Sequence, residues 1–482
     1  MAQRKVARGT VYLMAGQIIF LTSGYAVHVG LARYLGPETY GMYGVVISLL
    51  IWVELVAASG AHWTVRKYVA ENTHRVGAIK RGASRVVLLY SGSILALVLA
   101  LSSIFGNVLG DGRVGVYLKI AAFDIPLYAC FYLYLAVMNG MRDFGQQAMS
   151  IVVYSAGKVA AIFILVFLGF SLIGAFVGNA LASLFGLTVA VLFCKSYESA
   201  QPKGERIGFD SIRILKFTIP MTLLTLVHQL LMSLDLFCVK AIVRGDAEIG
   251  FYASAVALAK TPYFIFLGLS STLFPSLAKS ITEGDRSLTE SYIRQGLRFL
   301  CVSLIPVALL VGATSRGIIS LAFGDTYVHA APGLAILIIG LTFFTFFSIL
   351  STVLIADDKP YLVLFVAVPL IVMDFMLNIT FIPSYGIVGA AWATTVTTLT
   401  GMSVLGAIVF RRFRTLVDVV SVFRVALGSL AIYAIARLYQ APGVLLLVEY
   451  GVLLGIYVAV LAFVGEIKGG DVEAMGVWPR GS

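Results

Sequence analysis

Apolar segments about 20 residues long recur from Thr10 to Gly465 and dominate this sequence. Each segment is long enough to cross a hydrocarbon core of about 30 Å as an α-helix. Hydrophobic residues make up 60% of the chain and charged residues 12%, about half the charged share that is typical of soluble domains. The pattern predicts an all-α polytopic membrane protein with about 14 transmembrane helices and excludes an ordinary soluble enzyme.

Short polar segments separate the predicted spans and leave no room for a soluble domain. No segment has the G-x-x-x-x-G-K-[ST] pattern that cradles a triphosphate, so ATP is not predicted as a direct energy source. The four cysteines lack paired or metal-ligating spacing, so we predict packing roles for them, with no metal and no cofactor. The predicted spans lie at approximately 10–34, 42–65, 85–110, 114–138, 148–169, 171–194, 215–243, 251–278, 298–323, 333–356, 361–384, 386–410, 420–439 and 443–465.

Basic residues are concentrated on one side of the predicted spans. With the N-terminus inside, about 26 Lys and Arg lie near cytoplasmic segments and about 6 lie near the outer face. This bias predicts a multi-pass protein of the cell membrane with both termini in the cytoplasm. Topology and attraction to anionic lipids explain the net charge of +11, so no nucleic-acid partner is predicted. The last residues, 479–482, resemble the remnant of a cleavable tag.

Two segments of the chain recur in similar form in its second half. Residues 36–43 (Gly-Pro-Glu-Thr-Tyr-Gly-Met-Tyr) parallel residues 245–252 (Gly-Asp-Ala-Glu-Ile-Gly-Phe-Tyr), and 171–175 parallel 386–390. Two six-span lobes in the same orientation are therefore predicted, with a substrate path between them. The predicted organisation is an N-lobe at 1–196, a cytoplasmic linker at 197–214, a C-lobe at 215–412, spans thirteen and fourteen at 413–466, and a tail at 467–482.

Residues near the first turn and before the twelfth span carry a family resemblance. Segments 31–41 (Leu-Ala-Arg-Tyr-Leu-Gly-Pro-Glu-Thr-Tyr-Gly) and 382–394 (Ile-Pro-Ser-Tyr-Gly-Ile-Val-Gly-Ala-Ala-Trp-Ala-Thr) resemble the polysaccharide-biosynthesis flippases of the multidrug/oligosaccharidyl-lipid/polysaccharide exporter superfamily. The resemblance implies a two-lobe transporter that moves a polyprenyl-linked oligosaccharide to the outer leaflet by alternating access. The glycines of these motifs suit tight turns and close helix packing, so we predict architectural roles for them.

Charged residues inside predicted spans are the candidates for substrate binding, because ionised groups are costly at membrane depth. A rise of about 1.5 Å per residue places Lys158, Lys260 and Asp124 near the middle of their spans. If both lysines face one cleft, they could hold a lipid diphosphate, and Pro262 should loosen the helix beside Lys260. The resemblance also favours Lys260, because related lipid flippases use a basic residue on the eighth span.

A purely structural role is the alternative for both lysines. Lys158 could pair with Asp124, and Lys260 could pair with Asp235 or Asp374. Nearer the outer face lie five further basic residues that could receive the headgroup or extend to the membrane interface: Arg33, Lys119, Lys240, Arg244 and Arg316. The interface is favoured for Arg33, Lys240 and Arg244, which stand at span ends, whereas Arg316 is predicted inside the ninth span.

Carboxylates, amides and prolines inside the spans supply the remaining candidates. Coupling to H⁺ or Na⁺ could use a buried carboxylate, for which the candidates are Glu54, Asp124, Asp235 and Asp374. Amides that could hydrogen-bond sugar hydroxyls, or equally bond other helices, are Gln17, Gln229 and Asn179. The candidate hinges are Pro220 and Pro262.

The leading functional prediction is a flippase for a polyprenyl-(di)phosphate-linked oligosaccharide. A drug/cation antiporter of the same superfamily is one alternative, although lysines in the cleft would repel cations. A peptidoglycan-precursor flippase is another, because the sequence does not distinguish one diphosphate-linked saccharide from another. A membrane enzyme is disfavoured, because the predicted outer loops are only a few residues long. The predicted partners are the lipid-linked substrate, membrane lipids and other polysaccharide-assembly proteins.

Overall fold

A computed structural model describes residues 2–71, 73–195, 197, 222–243 and 245–466. These residues are largely helical, and no β-strand occurs among them. The predicted linker, except for Tyr197, and the predicted tail lie outside the described residues, as do Pro220 and Arg244.

Within each described range, the helices follow one another with short connections. They are α1 Ala2–Glu71, α2 Val76–Val108, α3 Gly112–Ala121, α4 Asp124–Gly140, α5 Phe144–Leu165, α6 Ser171–Lys195, α7 Thr222–Leu231, α8 Leu234–Ile242, α9 Asp246–Ala259, α10 Thr261–Thr282, α11 Arg286–Ala313, α12 Ser315–Phe323, α13 Ala331–Ala356, α14 Pro360–Phe413, α15 Val419–Leu438 and α16 Leu445–Phe463. A π-helical turn, Val166–Phe170, joins α5 to α6, and short 3₁₀ turns lie at Thr73–Arg75 and Asp325–Ala330.

Most of these helices are long and apolar enough to cross a membrane. Among the described residues there are 9 such helices, or up to 11 if the bent pairs α3–α4 and α7–α8 each form one span. This finding confirms a multi-pass, all-helical membrane protein. The number 14 stays a prediction, and the fourth and seventh predicted spans are broken rather than continuous.

Three of the longest helical stretches fold back on themselves. The stretch Tyr12–Ala58 has 47 residues and would be about 70 Å long if straight. Instead, the His28 Nδ1 atom lies 3.0 Å from the Tyr40 hydroxyl, whereas 12 residues of straight helix span about 18 Å. The reversal occurs at Gly36, whose φ of 77° suits glycine.

The reversals in α5–α6 and α14 share one backbone conformation. Ser171 has φ 48° and ψ −130°, and Gly386 has φ 57° and ψ −139°. The two residues occupy equivalent positions in the repeat predicted from the sequence. A serine in this sparsely populated region carries backbone strain that the surrounding packing must hold in place. The same backbone conformation therefore recurs at equivalent positions of the two sequence repeats.

The described chain forms two compact units, Met1–Ala253 and Ser254–Ser482, while the predicted lobe boundaries stay predictions. In the first unit, α1 packs against α4 and α5, and α5 packs against α6. The Tyr43 ring stacks on Phe176 with ring centroids 5.7 Å apart, and both side chains are fully buried. Aromatic stacking thus joins the α1 hairpin to α6 inside this unit.

In the second unit, α13 packs along α14, and α10 and α11 pack against α13. Helix α15 lies against α11, and buried Glu466 ties them together at one end by accepting hydrogen bonds from Arg298 and Ser421. Large apolar side chains such as Phe365, Phe423 and Phe463 are exposed in this unit. Exposed apolar surface of this kind is what a lipid-facing helix presents.

The two copies of the glycine turn meet backbone to backbone inside the first unit. A methyl group added to Gly250 would lie 1.9 Å from the Pro37 carbonyl oxygen. A methyl group added to Gly41, the equivalent residue, would lie 2.6 Å from the Gly250 nitrogen. Only glycine permits this approach, which is the architectural role predicted for such residues.

We therefore expect Gly250→Ala to destabilise the protein by about 1–3 kcal/mol, because the clash is with backbone that cannot rotate away. A thermal unfolding curve of the purified protein should show a lower midpoint. The control is Gly24→Ala, since no atom lies within 4 Å of the added methyl group. An unchanged midpoint for Gly250→Ala would contradict the close approach.

Candidate functional site

Three of the predicted site residues lie where a helix bends or where its backbone hydrogen bonding is interrupted. Asp124 opens α4 after a 41° bend from α3. Asp235 is the second residue of α8, after a 48° bend from α7. Lys260 is the single residue between α9 and α10. Broken helices expose backbone polar groups inside a membrane protein, and transporters bind substrates and ions at such places.

Helix dipoles explain why aspartates stand at two of these breaks. The first turn of a helix carries free N–H groups and a partial positive charge, which stabilises a nearby carboxylate. The backbone N–H of Leu236 donates to Asp235 Oδ1 at 2.7 Å. The Tyr252 hydroxyl donates to Asp235 Oδ2 at 2.6 Å. Asp235 is thereby held in a buried position by α8 and α9 together.

Asp124 belongs to a group of interacting polar side chains that we call the Glu54 cluster: Glu54, Asp124, Lys158 and Asn179. Lys158 interacts electrostatically with both carboxyl groups. The two carboxyl groups also lie close enough to interact electrostatically with each other. The Asn179 side-chain amide donates to Asp124 Oδ2 at 2.5 Å.

The charge count of the Glu54 cluster is unequal. Two carboxylates and one ammonium group carry a net charge of −1 when all are ionised. Glu54 and Asp124 are buried, at 6% and 0% exposure, and a residual charge is costly there. One proton or one bound monovalent cation would restore neutrality. The structure therefore brings together Lys158 and Asp124, the pair proposed as the structural alternative, and adds Glu54.

Aromatic side chains that the sequence analysis did not single out surround this cluster. The Lys158 Nζ atom lies 5.9 Å from the centre of the Tyr154 ring, within cation–π range. The Tyr154 ring stacks on Phe131 with centroids 5.2 Å apart. Tyr128 and Tyr132, one turn apart on α4, stack at 5.6 Å and are only half-buried. In the sequence, these tyrosines resemble ordinary apolar span residues.

Lys260 lies where α9 meets α10, at the point where the missing N–H of Pro262 interrupts the backbone hydrogen bonds, as the sequence predicts. Helix α9 ends at Ala259, and Pro262 occupies the first turn of α10, where its missing N–H is tolerated. The Tyr263 ring packs against Phe344 with centroids 5.3 Å apart, which anchors the start of α10 to α13. The half-buried Lys260 side chain therefore starts from a fixed backbone position.

The other predicted cations and carboxylates have varied environments. Arg33 and Lys119 are exposed. The prediction that Arg316 lies inside the ninth span is wrong, because α11 ends at Ala313 and Arg316 is an exposed residue of the separate helix α12. Helix α11 starts earlier in the chain than the predicted ninth span, because Asp285 caps it by accepting a hydrogen bond from the Leu288 N–H at 2.9 Å. The helix therefore also ends earlier than predicted. Asp374 is fully buried in α14.

The candidate sugar contacts also differ in exposure. Gln17 on α1 is exposed, and Gln229 on α7 is half-buried. Asn179 is buried, at 2% exposure, with its amide directed to Asp124. The structure thus places Asn179 in the Glu54 cluster and leaves the two glutamines more accessible.

The Lys240 side chain is buried and paired, whereas the sequence favours its extension to the membrane interface. Its side chain is 5% exposed and its Nζ atom lies 2.7 Å from Asp111 and 3.2 Å from Asp246. The Arg113 guanidinium contacts the same carboxylates, at 2.8 Å and 2.6 Å. We call these four residues the ion-pair cluster. Pairing, rather than extension to water, satisfies the lysine charge because two carboxylates lie within reach.

The ion-pair cluster balances its charges and shifts the pKa of the Asp111 carboxyl group. Burial raises the pKa of Asp111, but hydrogen bonds from Arg113 and Lys240 outweigh this effect and hold it well below its usual value. Asp111 therefore stays ionised at neutral pH and keeps the connection between α2, α3, α8 and α9 intact.

Residues 6–281, more than half of the chain, match the family described as Polysaccharide biosynthesis protein. The chain belongs to this family. An O-antigen transporter of Shigella flexneri is 22% identical to it over 75% of this chain and 87% of that protein. The low-salt glycan biosynthesis flippase Agl15 of Haloferax volcanii is 24% identical over 81% of this chain and 80% of that protein.

A solved structure shares the fold. The Lipid II flippase MurJ, in an inward closed conformation, matches with a TM-score of 0.73 and 16% identity over 95% of this chain and 98% of that chain. The family match confirms the resemblance to polysaccharide-biosynthesis flippases, and the structural match confirms the transporter fold. The Glu54 cluster, the ion-pair cluster and Lys260 all lie within the matched residues 6–281.

We expect Lys240→Gln to lower the unfolding midpoint of this family member, because one buried cation is lost between two carboxylates. Removing one partner of a buried pair costs about 3 kcal/mol or more. Lys279→Gln is the control, since its pair with Glu283 is 3.8 Å long and largely exposed. Equal midpoints for the two variants would contradict a stabilising cluster.

The difference in stability between wild type and Lys240→Gln should depend on pH in a defined way. Because the folded-state pKa of Asp111 is lowered, its contribution to stability is complete above the ordinary Asp pKa of about 3.9. It is lost as pH falls through the lower folded value. The difference between wild type and Lys240→Gln should stay constant from about pH 8 to 5 and shrink below about pH 4.

Proposed function

We propose that this protein is a flippase that moves a polyprenyl-(di)phosphate-linked oligosaccharide from the cytoplasmic to the outer leaflet by alternating access. Membership of the polysaccharide biosynthesis family, over residues 6–281, is the observation that carries the proposal. Relatives named as an O-antigen transporter and a glycan biosynthesis flippase support the same substrate class. The protein is proposed to act without catalysis, as a transporter.

The proposed headgroup site uses a lysine that the fold holds at a helix break. Lys260 is half-buried between α9 and α10, and an ammonium group there can act as a compact point charge for phosphate oxygens. Lys158, Arg316, Lys119 and Arg33 are the other proposed headgroup ligands. Lys158 also interacts electrostatically with Glu54 and Asp124, whereas Lys260 lies beside Pro262 at the start of α10, so the proposal is tested first at Lys260.

The proposed sugar contacts are aromatic and amide side chains. Tyr128 and Tyr132 present two half-buried rings on consecutive turns of α4. Such rings suit the apolar faces of sugar residues, while an amide such as Gln229 can bond hydroxyl groups. Gln17 and Asn179 are the other amides in the proposal. Packing of the tyrosine rings on the sugar would complement the hydrogen bonds of these amides and needs no charged group.

The proposed coupling site is the Glu54 cluster, whose ionised form has one uncompensated negative charge. A proton or Na⁺ that enters from one side neutralises it, and the ion is released when the cavity opens to the other side. Asp235 and Asp374 are further candidates. Asp235 already accepts hydrogen bonds from Leu236 and Tyr252, which makes it less available.

The proposed topology follows the charge bias of the sequence, with both termini in the cytoplasm. Two six-span lobes with a linker at 197–214 and two additional C-terminal spans are part of the same proposal. Pro262, beside the break at Lys260, is the proposed hinge among the described residues, and Pro220 is the other. The proposed partners are the lipid-linked substrate, membrane lipids and other polysaccharide-assembly proteins.

Transport of a cationic drug is the competing function on this fold. Lys158, which stands beside the acidic pair of the first unit, would repel a cationic substrate. Family membership also points to saccharide lipids. Flipping of a peptidoglycan precursor would use the same phosphate chemistry, so the sugar specificity must be measured with defined lipids.

Lys260→Ala should abolish flipping, because the headgroup loses its proposed counter-charge. The assay uses proteoliposomes with a fluorescent polyprenyl diphosphate saccharide and a quencher that cannot cross the membrane. We expect at least a tenfold lower rate for Lys260→Ala, equivalent to about 1.4 kcal/mol, and substantial activity for Lys260→Arg.

Two controls make this assay decisive. Lys279→Ala removes an exposed charge from the same helix α10 and should transport normally. A fluorescent cationic drug should not be transported by any variant. Full activity of a folded Lys260→Ala protein would eliminate the headgroup role, and drug transport alone would overturn the proposed function.

Glu54→Gln should uncouple flipping from an ion gradient, because the Glu54 cluster then reaches neutrality with Lys158 alone. The same proteoliposomes, prepared with and without a pH or Na⁺ gradient, give the measurement. Wild type should respond to one of the gradients and Glu54→Gln should respond to neither, while the exposed-site control Glu283→Gln keeps the wild-type response. A retained response in Glu54→Gln would exclude this cluster as the coupling site.

A further inference from the structure

A cationic cavity lies at one end of the first unit, away from the Glu54 cluster and Lys260 in the sequence. It has a volume of about 320 Å³ and lies between α2, α4 and α6. Its lining includes four basic residues, Lys80, Arg81, Arg85 and Lys195. Among the described residues that line it, none is acidic. Four basic residues around one cavity give it a positive potential that attracts anions.

The most buried of these cations is held in a fixed position. Lys80 is 5% exposed, and its ammonium group donates to the Cys194 carbonyl at 3.3 Å. It also lies 5.8 Å from the centre of the Tyr134 ring. The carbonyl belongs to the last turn of α6, where a cation is favoured. A charge fixed in this way is a preorganised part of a binding site.

The remaining polar groups are placed to complete an anion site. Arg81 and Arg85 are exposed and lie one turn apart on α2, where like charges destabilise a helix that has no counter-ion. The buried Ser84 hydroxyl lines the same cavity and has no hydrogen-bond partner among the described residues. Guanidinium groups and a hydroxyl donor are the groups that bind phosphate oxygens.

The surface next to the cavity identifies the kind of anion. Directly after Arg85, large apolar side chains on α2 are exposed, with Leu88 at 56% and Leu89 at 76%. On α6, Leu192 is 54% exposed, just before Lys195. The cations therefore stand where a lipid-facing apolar surface begins. A ligand with a phosphate headgroup and acyl chains matches both parts, and basic pockets between membrane helices bind such headgroups.

We propose that this cavity binds the phosphate headgroup of an anionic phospholipid, with the acyl chains on the adjacent apolar surface of α2 and α6. In the topology proposed above, the lipid belongs to the cytoplasmic leaflet. The site is separate from the transport residues and does not depend on which substrate is flipped. Occupancy by lipid neutralises α2 and fixes it against the end of α6.

Native mass spectrometry of the full-length protein in detergent tests this inference. Cardiolipin and phosphatidylglycerol should bind, and phosphatidylcholine should bind much more weakly. The double variant Arg81→Gln/Arg85→Gln should weaken anionic lipid binding by about 30-fold. The double variant Arg411→Gln/Lys279→Gln, which removes the same charge from exposed positions, should bind lipid as wild type does.

Four outcomes would overturn the inference. The first is equal binding of phosphatidylcholine and phosphatidylglycerol. The second is unchanged anionic lipid binding by a folded Arg81→Gln/Arg85→Gln protein. The third is displacement of the lipid by equimolar inorganic phosphate, which would indicate a site for soluble anions. The fourth is selective binding of a polyprenyl diphosphate, which would make the cavity part of the substrate path. Flipping rates measured on the same variants show whether lipid binding is lost without loss of transport. The lipid site and the transport proposal can therefore fail independently.

Discussion

The cost of an ionised side chain inside a membrane, about 2.5–3.5 kcal/mol on insertion scales, governs the arrangement of this protein. Several of its buried charges stand at the start of a helix or where opposite charges meet. Asp124 and Asp235 begin helices, where the partial positive charge of the first turn favours a carboxylate, and Lys240 is enclosed by two carboxylates. A buried charge that serves function loses its interactions with water, and a helix start or an opposite charge must replace them.

Glycine turns provide the framework that brings these charges together. The α1 hairpin reverses at Gly36, and its second arm carries Glu54 into contact with the start of α4. Gly250, which packs closely against Gly41, lies close in sequence to Asp246 of the ion-pair cluster. Backbone packing that only glycine permits thus fixes the distances between charges. The repeated turn therefore organises both charge clusters of the first unit.

The sequence is sufficient to predict the membrane class, the family and the recurring turns, because apolar length and glycine positions act locally. Pro262 likewise predicts the break beside Lys260. The sequence predicts the Glu54 cluster only in part, since it offers Asp124 as a partner for Lys158, but the participation of Glu54 depends on packing between α1 and α4. The sequence favours the interface for Lys240 because its partners, Asp111 and Asp246, lie 129 residues before it and 6 after it.

The central claim is that a lysine at a helix break supplies the counter-charge for a lipid diphosphate. An experimental structure of the protein in a lipid nanodisc with a bound polyprenyl diphosphate oligosaccharide tests it most directly. The account predicts phosphate oxygens within about 3 Å of Lys260 Nζ, with sugar density beyond the phosphates. Diphosphate density at another position, with the Lys260 ammonium paired to a carboxylate of its own unit, would contradict it.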